Sequence, residues 1–228
     1  MVRGTVLCVT ATEPSSALRR TVVLASASPA RLSLLRAAGI EPVVRVSDVD
    51  EPAIEAGLAA QGRTDPMDVA STLASAKARV VADLVRDEHP GAVVIGCDSV
   101  LDLDGTALGK PADAADAIRR WHAMRGRAAH LRTGHTVVVL GATPETDLIS
   151  TDVASTFVTF ADLDDETIEA YVATGEPLRV AGAFTLDGLG SAFVERIDGD
   201  PSNVVGLSLP LVRRMLESLD VRWHTLWT

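Results

Sequence analysis

Strand and helix signals alternate along the chain, a pattern typical of α/β proteins. Short apolar runs predict strands, and apolar residues that recur every three or four positions predict helices. The predicted strands cover residues 21–25, 43–46, 92–96, 131–140, 150–160 and 193–197. The predicted helices cover residues 29–38, 66–86, 112–124, 164–173 and 204–216. Residues 52–65 are predicted to be irregular.

The boundaries of two predicted elements are marked by single residues. Ser28 can cap a helix that starts at Pro29, because the missing N–H of proline costs nothing at the first helical position. Gly39 can adopt the left-handed conformation that ends this helix. Asp104 and Gly105 lie between two short apolar runs, and this dipeptide predicts a hairpin turn.

The composition is that of a globular protein, with 47% hydrophobic and 23% charged residues among 228. The formal net charge of −10 argues against nucleic-acid binding, which needs a cationic surface. Cys8 and Cys97 show no disulfide or metal-binding pattern, and no apolar run is long enough to span a membrane. We therefore expect a cytoplasmic protein without nucleic-acid or membrane partners. Residues 1–20 are expected to form an N-terminal extension and residues 21–228 a single α/β domain.

Lysine is scarce in this chain, because Lys77 and Lys110 are the only lysines among 21 basic residues. A compact ammonium and a planar guanidinium are not interchangeable at a tight site, so both lysines are candidates for functional positions. Lys77 lies at the margin of the apolar face of the helix predicted over 66–86. Its side chain either extends to solvent or points into a cleft.

Polar residues suited to phosphate chemistry follow two of the predicted strands. Ser26 and Ser28 place hydroxyl groups at a helix N-terminus with Arg31 in its first turn, an arrangement that binds anions or simply caps the helix. Asp98 follows a buried strand, at the end where α/β proteins bind ligands. Glu51 can add a second carboxylate for Mg²⁺, although both acidic residues are also explained as turn or surface residues.

The segment Asp102-Leu103-Asp104-Gly105-Thr106 resembles the nucleophile motif of haloacid-dehalogenase-type phosphatases. In that motif the first aspartate attacks phosphate. That motif needs an uninterrupted buried strand before it, and we expect Asp98 and Ser99 to break the strand here. A hairpin turn explains the segment more simply, so a phosphatase is the weaker alternative.

Several motifs follow one another in a fixed order: LASASPAR at 24–31, LASAKA at 73–78, GCDSV at 96–100 and LGKP at 108–111. AGAF at 181–184 and IDGDPSNVVGL at 197–207 continue the series. Together they resemble the Maf family of nucleoside triphosphate pyrophosphatases, also described as septum formation inhibitor Maf-like proteins.

The resemblance implies a mixed, bent β-sheet with flanking helices and two lobes around a deep cleft, as in inosine triphosphate pyrophosphatase-like proteins, and a homodimer. It also implies hydrolysis of a nucleoside triphosphate to a monophosphate and pyrophosphate with a divalent metal cation, Mg²⁺ or Mn²⁺. By position, Asp98 would be the proton acceptor that activates water, and Glu51 and Asp98 would hold the metal. The residues that would bind substrate are Ser26, Ser28, Arg31, Lys77 and Lys110.

This chain departs from the family pattern at Asp187. Pyrimidine-preferring members have a glutamine at this position, whereas an acidic residue is similar to members that take 7-methylguanosine triphosphate. We therefore expect Asp187 to bind substrate near the base, and the preferred base stays open. The family is also linked to arrest of cell division, so a non-catalytic nucleotide-binding regulator of septum formation is the alternative to an enzyme.

Overall fold

A mixed β-sheet forms the centre of the protein in the computed structural model, which describes residues 20–228. The strands are β1 (Val22–Leu24), β2 (Val43–Val44), β3 (Val93–Leu103), β4 (Thr106–Leu108), β5 (Ala128–Val139), β6 (Leu148–Phe160) and β7 (Val194–Asp198). Their order is β2-β1-β3-β5-β6-β7, with β4 paired to β3. β1 is parallel to both of its neighbours, and the other pairs are antiparallel. The expected mixed, bent sheet is confirmed, and the described sheet is open.

Helices flank the sheet on both sides, and flanking helices are what the family resemblance implies. They are α1 (Pro29–Ala37), α2 (Glu51–Ala60), α3 (Pro66–Val85), α4 (Ala114–Met124), α5 (Asp165–Ala173), α6 (Pro201–Val205) and α7 (Leu209–Ser218). One large apolar cluster joins α1 and α7 to β1 and the first half of β3, and it includes Leu35 and Ile95. A second joins α4 and α5 to the later half of β3 and the end of β6, and it includes Trp121 and Phe160. The middle of β3 therefore lies between two apolar cores.

α3 approaches the sheet closely because two strand glycines face it. A Cβ atom on Gly96 would lie 2.6 Å from the carbonyl oxygen of Ala74, and one on Gly134 would overlap the backbone of Ala70. Neither position has room for a side chain. This close approach brings the middle of α3 directly against β3 and β5.

The local signals at α1 and at the predicted hairpin are confirmed. The Ser28 hydroxyl accepts a hydrogen bond from the Arg31 amide at 3.4 Å, and Gly39 has a φ of 84°. Asp104 and Gly105 also have positive φ, with values of 54° and 82°, in the turn that joins β3 to β4.

The prediction of irregular structure over residues 52–65 is wrong, because α2 covers most of this segment. The carboxylate of Asp50 caps the helix by accepting a hydrogen bond from the Ala53 amide at 3.0 Å. Leu58 is buried in a small apolar cluster with Leu73 of α3. The helix therefore has both a capping residue and a buried contact.

The single helix predicted over 204–216 is also wrong, because the segment contains the end of α6 and most of α7. Gly206 has a φ of 123°, which no helix contains, and it ends α6. The Ser208 hydroxyl then caps α7 by accepting a hydrogen bond from the Leu211 amide at 3.2 Å.

The strand predicted over 92–96 continues to Leu103, so the expected break at Asp98 and Ser99 is wrong. Both polar side chains find partners beside the sheet. Lys77 binds the Asp98 carboxylate, and the Ser99 hydroxyl lies 2.9 Å from that of Thr133 on β5. These partners remove the cost of burying polar groups in the strand.

None of the helices described within residues 20–228 is long and apolar enough to cross a membrane. The predicted N-terminal extension, apart from Arg20, lies outside the described residues.

His135 is a buried titratable residue on β5 that contacts the start of α7. Its Nε2 accepts a hydrogen bond from the Ser208 amide at 2.8 Å, so this nitrogen carries no proton. Burial, followed by the charge of Arg31, lowers the pKa of His135 to about 4. The imidazole is therefore neutral in the folded protein at neutral pH.

We expect His135→Gln to reduce the loss of stability at acid pH. The unfolded chain binds a proton on His135 below about pH 6.5, whereas the folded chain does so only below about pH 4. Between these values the unfolded state binds more protons, so this residue lowers the free energy of unfolding as pH falls, by about 3 kcal/mol in total. Urea unfolding of both proteins at neutral pH and near pH 4 measures the difference. Identical pH dependence in parent and variant would contradict a neutral, buried His135.

Candidate active site

A cleft of about 1000 Å³ opens beside the middle of β3. It is lined by all of the site residues predicted from the sequence, namely Ser26, Ser28, Arg31, Glu51, Lys77, Asp98, Lys110 and Asp187. These residues come from separate parts of the chain, and the fold brings them to one cavity.

Lys77 and Asp98 form an ion pair in this cleft. The Lys77 ammonium lies 2.6 Å from Oδ1 of Asp98 and 2.8 Å from Oε1 of Glu51. The Lys77 and Asp98 side chains are 10% and 11% exposed, whereas that of Glu51 is 43% exposed. Lys77 therefore points into the cleft, and the alternative that it extends to solvent is wrong.

The environment of Asp98 makes its carboxylate a stronger proton acceptor than an exposed aspartate. Burial raises the pKa of Asp98, and the charge and hydrogen bond of Lys77 oppose this increase. A general base works best when its pKa lies nearer to the working pH. The burial of Asp98 therefore suits it to accept a proton from water.

Glu55 is a further acidic residue in the cleft that the sequence reasoning missed. It lies one turn after Glu51 on α2, and this spacing was hidden because the segment was not predicted to be helical. Burial raises the pKa of Glu55, and the charges of Asp98 and Glu51 raise it further. The cleft thus has a concentration of negative charge beside Lys77.

Arg31 is held in the cleft wall by acceptors from distant segments. Its Nε–H donates to the Gly206 carbonyl at 2.7 Å, and Nη1 donates to the Cys97 carbonyl at 2.9 Å and the Ser26 hydroxyl at 3.1 Å. Nη2 donates to the Ser99 hydroxyl at 3.1 Å. The guanidinium is therefore fixed before any ligand binds.

The loop between β1 and α1 presents its polar groups at the start of the helix. Ser28 uses its hydroxyl to cap α1, and the Ser26 hydroxyl accepts a hydrogen bond from the Ser28 amide at 3.2 Å. No acidic residue occupies the first turn of α1. The N-terminus of this helix thus offers N–H groups and a favourable dipole to an anion in the cleft.

Asp187 is exposed on a loop, and the carboxylate of Glu176 binds both ends of this loop. Glu176 accepts hydrogen bonds from the hydroxyl of Thr185 before Asp187, and from the amides of Leu189 and Gly190 after it, the last two at 3.0 Å. The loop therefore holds Asp187 in a defined place at the cleft.

Asp102, the first aspartate of the phosphatase-like segment, is bound within the hairpin. Oδ1 accepts a hydrogen bond from the Gly105 amide at 2.9 Å, and Oδ2 lies 3.0 Å from Nη2 of Arg132. Asp102 does not line the cleft. These contacts support the hairpin explanation over a phosphatase nucleophile.

The acidic side chains do not form a complete metal cage. Within residues 20–228, no three His, Cys, Asp or Glu side chains lie close enough together to hold a metal ion. Oε1 of Glu51 and Oδ1 of Asp98 both bind the Lys77 ammonium, which leaves the other oxygen of each carboxylate for a cation, and Glu55 adds negative charge nearby. This donor set fits a cation such as Mg²⁺ that also binds phosphate oxygens of a substrate.

Comparison with known proteins identifies the family of this chain. Residues 21–219 match the family model described as Maf-like protein. Relatives from Streptomyces avermitilis (55% identity over 210 residues, 92% of this chain and 96% of the relative) and Streptomyces coelicolor (56% over 209 residues, 92% and 95%) are each named nucleoside triphosphate pyrophosphatase. A relative from Salinispora tropica, 53% identical over 94% of this chain and 90% of its own length, has the same name. The chain belongs to the Maf-like protein family.

Proposed function

We propose that this chain is a nucleoside triphosphate pyrophosphatase, a hydrolase that cleaves the α–β phosphoanhydride and releases a nucleoside monophosphate and pyrophosphate. The observation that carries the proposal is the buried pair of Asp98 and Lys77, which faces a cleft that Arg31 and Lys110 also line. The names of the relatives support the same reaction.

Asp98 is the proposed general base. Its carboxylate accepts the proton of the water that attacks the α-phosphorus, while the bond to the bridging oxygen breaks and pyrophosphate leaves. Lys77 holds the carboxylate in one orientation through a contact of 2.6 Å. The ammonium also offsets the negative charge that the reacting phosphate brings close to Asp98.

The triphosphate is proposed to lie along the positive groups of the cleft. Ser26, Ser28 and the N-terminus of α1 offer hydrogen-bond donors, and Arg31, Lys77 and Lys110 offer positive charges. The bonds that fix Arg31 support this role, because a guanidinium already in place loses little freedom when phosphate binds.

A divalent cation, Mg²⁺ or Mn²⁺, is proposed to bind to Glu51 and Asp98 together with phosphate oxygens. When bound, such a cation neutralises charge on the phosphates and polarises the bond that breaks. The negative charge of Glu51, Glu55 and Asp98 around Lys77 supports this proposal.

A panel of canonical and modified nucleoside triphosphates, assayed with Mg²⁺ and with Mn²⁺, tests the reaction. Pyrophosphate and orthophosphate are measured separately. We expect pyrophosphate together with the nucleoside monophosphate. Release of orthophosphate alone would instead indicate a phosphatase, and nucleotide binding without hydrolysis would indicate the non-catalytic regulator of septum formation.

Asp187 is proposed to select the base. A carboxylate only accepts hydrogen bonds, so it favours base edges that present N–H donors or a positively charged ring, whereas a glutamine both donates and accepts. We expect Asp187→Gln to shift the ratio of kcat/KM values towards uridine and thymidine triphosphates by about 10- to 100-fold.

The matched control for Asp187→Gln is Glu169→Gln, which removes a negative charge from an exposed position outside the cleft. Competition assays with pairs of triphosphates measure the preference in both variants. An unchanged substrate ratio in Asp187→Gln would remove Asp187 from base selection and leave it either as a turn residue before Gly188 or as a carboxylate that acts behind the site or on the metal side.

We also propose that the enzyme is a cytoplasmic homodimer that acts without nucleic-acid or membrane partners. Its net charge of −10 supports the absence of nucleic acid as a partner. Light scattering after size exclusion measures the mass in solution and so tests the homodimer.

The division into an extension over 1–20 and one domain over 21–228 stays a prediction, as does a link to the arrest of cell division.

A further inference from the structure

Lys110 lies in a short irregular segment, residues 109–113, between β4 and α4. Its side chain is exposed and lines the cleft. Pro111 has no N–H group to donate, so this segment has one hydrogen-bond donor fewer than other sequences of its length. Other parts of the protein must therefore hold the backbone of Lys110 in place.

The Gly182 amide supplies one such bond, to the Gly109 carbonyl at 3.1 Å, and Arg120 on α4 supplies two more. Its Nη1 donates to the Gly109 carbonyl at 2.6 Å, and its Nη2 donates to the Lys110 carbonyl at 3.4 Å. The same Nη2 lies 2.7 Å from Oδ2 of Asp116, one turn earlier on the helix. One guanidinium thus joins the segment to α4.

Asp116 completes the attachment. Its Oδ2 accepts a hydrogen bond from the Ala112 amide at 3.0 Å, and this bond is the main reason that the pKa of Asp116 is lowered. The carboxylate therefore stays ionised, and Arg120 and Asp116 together bind the backbone on both sides of Pro111.

The pair of Arg120 and Asp116 is shielded from solvent, whereas the neighbouring Arg119 is not. The side chains of Arg120 and Asp116 are 16% and 17% exposed, whereas that of Arg119 is 69% exposed. Arg119 also contacts Asp116, at 3.1 Å, but it makes no bond to residues 109–113. Adjacent arginines on one helix therefore differ in their contact with the Lys110 segment.

We propose that Arg120 is a positioning residue that, together with Asp116, fixes the backbone of Lys110 so that its ammonium meets the triphosphate. The proposal rests on the proposed function, because it assumes that Lys110 binds phosphate. The lysine side chain has four rotatable bonds, so its ammonium is already mobile. A fixed backbone limits this motion to the neighbourhood of the cleft. Loss of these backbone contacts should therefore weaken the binding of phosphate by Lys110.

The test compares Arg120→Met with Arg119→Met. Both remove one positive charge from α4 and keep most of the hydrocarbon stem. We expect Arg120→Met to lower kcat/KM by about 10- to 100-fold, the scale of a small misplacement of a binding group. Arg119→Met should stay within about twofold of the parent. Equal activity of Arg120→Met and the parent would overturn the proposal.

A double-mutant cycle with Lys110→Ala separates positioning from direct contact with substrate. If Arg120 acts through Lys110, then adding Arg120→Met to Lys110→Ala lowers kcat/KM no further. Multiplicative losses in the double variant would mean that Arg120 acts independently of Lys110, and they would refute the proposal. Thermal unfolding monitors the fold throughout, and Arg120→Lys replaces Arg120→Met if the methionine variant does not fold.

Binding of a non-hydrolysable α,β-methylene triphosphate distinguishes this proposal from the proposed function. A parent protein that releases no pyrophosphate would refute the proposed reaction, whatever its affinity for the analogue. The positioning role predicts that Arg120→Met weakens analogue binding relative to Arg119→Met, and equal affinities would refute it.

Discussion

We expect Asp98→Asn to lower kcat by about 10²–10⁴ while nucleotide binding is largely retained, since this is the usual contribution of a general base. Asparagine has nearly the same shape as aspartate but cannot accept the proton of the attacking water. Glu51 still lies 2.8 Å from the Lys77 ammonium, so the lysine keeps one partner in the variant. Initial rates of pyrophosphate release measure kcat, and titration with a non-hydrolysable analogue measures binding.

Asp102→Asn is the matched control for Asp98→Asn. Both aspartates lie on β3, but Asp102 is bound to the hairpin and to Arg132 outside the cleft. We expect this variant to unfold at a lower temperature and to keep kcat within a few-fold of the parent. Comparable activity of Asp98→Asn and the parent would end the assignment of Asp98 as the base.

Lys77→Arg is expected to lower kcat/KM by about 100-fold or more, although it preserves the charge. The ammonium contacts two carboxylates at 2.6 and 2.8 Å, and a longer, planar guanidinium does not fit the same point. α3 is already in tight contact with the sheet at Gly96 and Gly134, so the helix cannot shift to bring a guanidinium to the position that the ammonium holds between the two carboxylates. Steady-state kinetics measures the effect.

Lys110→Arg provides the comparison for Lys77→Arg. The side chain of Lys110 is exposed, so the cleft can adjust to a larger cation there and the loss should be smaller. Thermal unfolding separates a damaged site from a damaged fold. If both variants act like the parent, the scarcity of lysine reflects composition alone and carries no functional meaning.

Local sequence signals predicted those parts of the fold whose cause is itself local. The cap at Ser28, the left-handed Gly39 and the hairpin turn at Asp104 and Gly105 depend on residues within a few positions, and all are present. α2 was missed because Gly57 and a series of alanines weaken its periodicity, although Asp50 marked its start.

The candidate site shows the same division between local and distant causes. The motifs contain most of the predicted residues that line the cleft, Asp98 and Lys77 among them, whereas Glu51 and Asp187 lie outside the motifs. The sequence could not show that a strand would continue through Asp98, because Lys77, which binds the buried Asp98 carboxylate, lies on α3. Glu55 and Arg120 were missed because their places depend on helix phase and on contacts with distant backbone.

The hydrogen bonds of Arg31 have a consequence for biosynthesis. Its Nε–H reaches the Gly206 carbonyl, 175 residues later in the chain, and its Nη1 reaches Cys97, 66 residues later. A nascent chain can form α1 and the first strands early, but the guanidinium gains its last acceptor only after α6 has been synthesised and docked. Pairing over such distances is a slow step in folding. A growing polypeptide can therefore form α1 before the guanidinium of Arg31 has all the acceptors that fix it in the cleft.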